Sequence, residues 1–283
     1  MSLPRLALVA LLSAAAPVAA ETALPSPVAG QSVAELGRIL RLDALFEVLR
    51  EEGLAHGRSI EADMFPGRGG ARWEATVAQI YDVGRMRAGF DAALAQALGP
   101  DTETLAEVAA FFGSELGQRI LTLEIEARRA FLDTAREEAA RVAADDAAAA
   151  RDPKVALIRK MIEAADLLES NVAGSMSGNL AFMTGMAGTG VYGRAMSEDE
   201  ILADIWSRED QIRSDSSTWL YAYLGLAYAP LSEAELQSYV AFWESPAGQR
   251  LNGALFAAFD QVFRPVSHEL GRAAGQAMLS RDI

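Results

Sequence analysis

Apolar positions recur at three- and four-residue spacing along most of the chain, and helix-starting signals punctuate them. Ser32 and Glu35 form a capping box ahead of the stripe Leu36, Ile39, Leu40, Phe46 and Leu49, which predicts a helix ending at Gly53. Trp73, Val77, Ile80, Tyr81, Phe90, Leu94 and Leu98 predict a long helix stopped by Gly99-Pro100. Residues 115–151 contain no proline and read as one long helix or two abutting ones. Ile158, Met161, Ile162, Ala165 and Leu168 mark the buried face of a helix over 154–171. A capping box at Ser197 and Glu200 opens a helix through Ile201, Ile205, Trp206, Ile212, Trp219 and Leu220, and Phe259, Phe263 and Leu270 lie on a C-terminal one. Between these runs, residues 64–70 read as a turn and the Gly- and Met-rich residues 174–193 as a longer connector in the equivalent place.

Residues 231–252 are the most structured stretch. Ser232 and Glu235 start a helix, Leu236, Val240 and Trp243 share a face, and Ser245-Pro246 ends that helix while capping the next. Gly248 offers a place for close backbone approach. The same letters occur 131 positions earlier: Asp101 corresponds to Ser232, Leu105 to Leu236, Phe111-Phe112 to Phe242-Trp243, and Ser114 to Ser245. Gly117-Gln118-Arg119-Ile120 corresponds to Gly248-Gln249-Arg250-Leu251, with Glu115 in place of Pro246. Leu167-Leu168-Glu169 also resembles Leu45-Phe46-Glu47. The expected architecture is all-α, with two similar helical-hairpin halves from an internal duplication, 32–150 and 151–283, joined by a long helix.

The later copy, with Phe242, Trp243, Ser245, Pro246, Gly248 and Gln249, resembles an exported bacterial domain-of-unknown-function family, number 2059. That family's pattern is an aromatic pair, one residue, Ser-Pro, one residue, then Gly-Gln or Gly-Lys. The earlier copy over 101–121 lacks the proline and resembles it more weakly. The resemblance implies an exported all-helical protein and supplies no catalytic residues.

Composition narrows the setting. Arg5, the apolar run 6–16 and Val18-Ala19-Ala20 read as a cleavable signal peptide over 1–20, which places the mature protein in the periplasm. Residues 21–31, with two prolines, read as a flexible arm. Beyond the leader no apolar run reaches membrane length, so no transmembrane span is expected after signal removal. Cysteine is absent, which excludes disulfides, thiolate chemistry and cysteine metal sites. A net charge of −14, from 25 basic against 39 acidic residues, argues against nucleic acid and anionic membrane partners.

Candidate chemistry is sparse. Residues 188–193 hold the glycines of a dinucleotide loop without the strand before it. His268-Glu269 starts like a zinc-protease motif, but Arg272 stands where the second histidine belongs. His56 and His268, the only histidines, read as surface or helix-end residues. Glu124, Glu126, Glu137 and Glu138 alternate with Arg119, Arg128, Arg129, Arg136 and Arg141, the pattern of a solvated, salt-bridged helix face. Met176, Met183, Met186 and Met196 read as adaptable apolar lining rather than a copper site. Met176, Met183, Met186 and Tyr192 are the residues expected to touch a ligand or partner, and Trp219, Leu220, Tyr223 and Leu224 read as core.

No catalytic, cofactor or metal residues are therefore assigned. The expectation is a non-enzymatic helical protein of the cell envelope, a protein-interaction or structural module whose partner is an envelope protein or a second copy. Two alternatives are a periplasmic carrier of an apolar ligand and a hydrolase using carboxylates in a cleft between the halves. A carrier should show an apolar cavity near 174–193, an enzyme converging buried carboxylates, and an interaction module an exposed apolar patch.

Overall fold

The computed structural model describes residues 32–193 and 196–280. The leader and arm expected over 1–31 lie outside them. The described chain is all-α, without strands. In the first half come α1 (Val33–Ile39), α2 (Leu42–Met64), α3 (Gly70–Ile80), α4 (Val83–Leu98), α5 (Thr102–Phe112) and α6 (Glu115–Ala130). Helix α7 (Thr134–Ala149) follows. The second half contains α8 (Pro153–Ala164), α9 (Leu167–Ala187), α10 (Glu198–Trp206), α11 (Glu209–Tyr228), α12 (Glu233–Trp243) and α13 (Pro246–Leu279).

Both corners form as their residues dictate. Ser114 Oγ accepts from Gly117 N and Ser245 Oγ from Gly248 N, each at 3.1 Å. These bonds satisfy amides that have no partner inside the new helix. A Cβ on Gly117 would collide with the carbonyl oxygen of Phe111, and one on Gly248 with that of Phe242. Gln118 Nε2 donates to Phe112 O at 2.7 Å, and Gln249 Nε2 donates to Trp243 O at 3.2 Å. Phe112, Phe242 and Trp243 are buried and Phe111 is half-buried.

Several long stripes are broken. The first breaks at Arg41, whose backbone is left-handed (φ 53°), and then α2 runs through Gly53 to Met64. Gln118 holds this break: it accepts from Arg41 Nε and donates to Ile39 O, both at 2.8 Å. The 154–171 stripe breaks at Asp166, also left-handed (φ 47°). The two breaks pair Leu42 with Leu167, three positions away from the register that Leu45-Phe46-Glu47 suggests. Asp82 caps α4 through Arg85 N (2.7 Å), which splits the stripe from Trp73 to Leu98. Ser207-Arg208 separates α10 from α11, and the expected long joining helix is α6 and α7. Most of 174–193 is helix rather than connector, because α9 continues to Ala187.

The halves interlock around one core. Helix α13, 34 residues long, packs along α9 and also across α4 and α5 of the first half. In return α6 packs on α11. Phe259 of α13 closes the first half's core, 4.6 Å from Phe90 and 6.1 Å from Phe46 between ring centroids. Each corner's arginine also reaches the other half's cap: Arg119 pairs with Glu235, and Arg250 pairs with Asp101.

Candidate functional site

Helices α9 and α13 touch backbone to backbone at one end and diverge at the other. Where they touch, a Cβ on Gly185 would strike His268 O and one on Gly271 would strike Phe182 O. Further along, a Cβ on Gly178 would sit an ordinary 3.5 Å from Ser267 Oγ, and one on Gly174 would meet nothing within 4 Å. The divergence leaves a groove of about 390 Å³ with strongly apolar walls. Ala173, Gly174 and Gly178 form one wall, and Phe256, Phe259 and Phe263 the other.

Glycine inside a helix costs up to about 1 kcal/mol relative to alanine. At Gly185 and Gly271 that cost is offset by close packing. At Gly174 no protein atom uses the space. The polar groups of the groove are few. Ser177 Oγ donates to Asp260 Oδ1 at 2.8 Å. Arg264 is exposed at the rim and has no ion-pair partner among the described residues. Ser267 lies on the lining, is 5% exposed, and makes no side-chain hydrogen bond among the described residues.

A second constellation lies where α6 meets α11 and α12. Glu124 Oε1 accepts from Tyr228 Oη at 2.7 Å and from Tyr239 Oη at 2.8 Å, while Tyr223 Oη donates to the Glu124 carbonyl at 3.0 Å. Burial pushes the carboxyl up to about 7, against the pull of the two tyrosine hydrogen bonds. Burial, and then the carboxylate, hold Tyr228 and Tyr239 well above the ordinary phenol range. One turn on, Arg128 is 5% exposed and forks onto Glu52 at 2.6 and 3.0 Å. The solvated-face reading is thus wrong for Glu124 and Arg128, though Glu126 and Glu138 are exposed. The cavity beside Glu124 has about 60 Å³, room for about two waters and too little for a substrate.

His56 also departs from expectation. It lies inside α2, its Nδ1 is sealed without a partner, and burial pushes its pKa down to about 3. His268 is exposed. Of the expected contact residues, Met176 and Met183 are half-buried on α9, Met186 is core, and Tyr192 is exposed with its hydroxyl 3.8 Å from Met186 Sδ. None of the four lines the groove. Trp219, Leu220, Tyr223 and Leu224 are core as expected. Sequence reasoning missed Phe256, Arg264 and Ser267. Their spacing with Asp260 on one helix face was the available signal.

No helix among the described residues is long and apolar enough to cross a membrane. No curated protein and no solved structure matches the chain. The family match falls on the first corner rather than on 231–252: residues 84–145, from α4 into α7, match the bacterial family described as "Uncharacterized protein conserved in bacteria (DUF2059)".

Proposed function

We propose that this chain is a non-enzymatic exported protein of the cell envelope that carries an apolar ligand in the groove between α9 and α13. The observation that supports this is Gly174, a helical glycine facing empty space above a wall of three phenylalanines. Such a surface gains by excluding water when an apolar molecule covers it. A hydrolase reading has less support, since the half-buried carboxylate Glu124 faces a space too small for a substrate. The proposal includes cleavage of a leader before Glu21, release into the periplasm, and descent of 32–150 and 151–283 from one duplicated unit.

The test is fluorescence titration with N-phenyl-1-naphthylamine, a neutral apolar probe. The wild type should bind it saturably, and Gly174→Leu should abolish binding. The added side chain enters open space and improves helix propensity, so the fold should survive. Equal binding by both proteins would remove the groove from consideration.

A second reading, docking of an envelope protein, draws support from a different place. Leu202 and Trp206 lie one turn apart on α10 and are 41% and 57% exposed. Tyr192 in the preceding connector is exposed as well. Apolar side chains clustered in this way favour a protein contact. Loss of a cross-linked envelope partner on Trp206→Ser, with probe binding intact, would support this second role.

A further inference from the structure

We propose that the groove takes a single-chain amphiphile with an anionic head, a carboxylate or phosphate, and that Arg264 holds the head. This rests on the carrier reading and adds the class of ligand.

The groove runs between α9 and α13. From Phe256 to Ser267 the lining follows twelve residues of α13, about 16 Å of helix. Phe256, Phe259, Phe263 and Ser267 repeat at helical spacing along its α13 wall, suited to one extended acyl chain. The narrow end stops where Gly185 and Gly271 bring the two backbones together.

Two charged groups share the rim. Asp260 is already engaged by Ser177, whose hydroxyl crosses from α9 to donate to it. Arg264, one turn further along, has no carboxylate within ion-pair distance among the described residues. A guanidinium offers five donors in a fork that fits carboxylate and phosphate oxygens. Arg264 is therefore the rim's cation without a carboxylate partner, beside the charge of Asp260, in a protein whose net charge is −14. Ser267 adds a second polar group: the residue is 5% exposed, lines the same groove, and its hydroxyl has no hydrogen-bond partner among the described residues. A hydroxyl so placed is satisfied by a polar atom arriving with the ligand.

Dodecanoate, 1-dodecanol and dodecylammonium share one tail and differ only in the head. Each is titrated against the probe-loaded full chain, and displacement is read. Dodecanoate should displace the probe at about tenfold lower concentration than dodecanol, as a charge-assisted hydrogen bond allows, and dodecylammonium should be weakest. Arg264→Gln should erase the advantage of the carboxylate and leave dodecanol unchanged. Asp260→Asn should improve dodecanoate. If dodecanol equals dodecanoate in the wild type, or if Arg264→Gln leaves the preference intact, the head-group assignment is overturned while the carrier reading stands. If none of the three displaces the probe, and the probe itself does not bind, both fall.

Discussion

Phe111 and Phe242 stack with ring centroids 4.2 Å apart and planes 16° from parallel. They occupy the same place in the two corners, so each half's corner is the other's packing surface. Tyr239 lies parallel to Phe111 on this cluster, and Phe112 and Trp243 meet edge to face beneath it. Phe242→Ala should cost about 3–4 kcal/mol, as a truncated buried phenylalanine does. Phe111→Ala should cost less, because Phe111 is half-exposed. The double mutant should be less destabilised than the sum by about 1 kcal/mol, the worth of a paired ring contact. Urea unfolding of the four proteins measures this, and strict additivity would show that the stack contributes nothing beyond burial.

The corner glycines should behave unlike other helical glycines. Gly117→Ala and Gly248→Ala place a methyl against a carbonyl oxygen that is fixed by its own helix end. Each should cost several kcal/mol, within the roughly 1–3 kcal/mol of overpacking or above it. Gly225 and Gly253 also sit in helices, but a Cβ there meets nothing within 4 Å. Alanine at either should stabilise by up to about 1 kcal/mol. Thermal unfolding of the four variants separates the two classes by the sign of the shift in Tm.

What could be read from the sequence was what is local in the chain. The caps at Ser32, Asp101, Ser114, Ser197, Ser232 and Ser245 all form, because a cap and its amide lie within three residues. The breaks at Arg41 and Asp166 carry no proline or glycine. At Arg41, a glutamine 77 residues away stabilises the left-handed turn. Helix α9 was hidden for the opposite reason. Its glycines lower helix propensity, and packing along α13 overrides them. The groove followed α9 out of view, since a segment read as a connector presents no face. Glu124 and Arg128 show the limit most plainly. Alternating Glu and Arg on a helix reads as a wet surface. The tyrosines that dry it lie 99 to 115 residues downstream.

Arg128 is the buried charge whose partner should matter most. Its side chain is 6% exposed and that of Glu52 is 22% exposed, so the pair is mostly shielded from water. Glu52→Ala should cost about 3–5 kcal/mol by leaving the guanidinium in a dry site without its carboxylate. Glu52→Ala with Arg128→Met should recover much of that loss, because the interior tolerates an apolar side chain better than a cation that has lost the Glu52 carboxylate. A double mutant no more stable than Glu52→Ala would show that Arg128 does not depend on this charge.

Two half-buried groups set opposing pH dependences. Glu124 titrates at about 7 in the fold against an ordinary 4.5, so the native state holds a proton that the unfolded chain releases between those values. Its contribution to stability therefore falls as pH rises from 4.5 to 7. His56 titrates at about 3 against an ordinary 6.5, so the native state lacks a proton that the unfolded chain holds. Its contribution falls as pH drops from 6.5 to 3. Between pH 4.5 and 6.5 the two slopes have opposite signs and similar size, about 1.4 kcal/mol per pH unit each. Their sum is nearly flat there. Glu124→Gln keeps an acceptor for Tyr228 and Tyr239 but cannot ionise, so it should leave the His56 slope exposed. Its stability should rise by up to about 3 kcal/mol from pH 4.5 to 6.5, relative to the wild-type trend. His56→Gln should show the reverse, a fall over the same interval. Urea midpoints at four pH values suffice, because a constant offset from either substitution leaves the slope untouched. A Glu124→Gln profile parallel to the wild type would mean that the carboxyl is already ionised in the fold at pH 4.5, and that the seam between α6, α11 and α12 is wetter than its tyrosines imply.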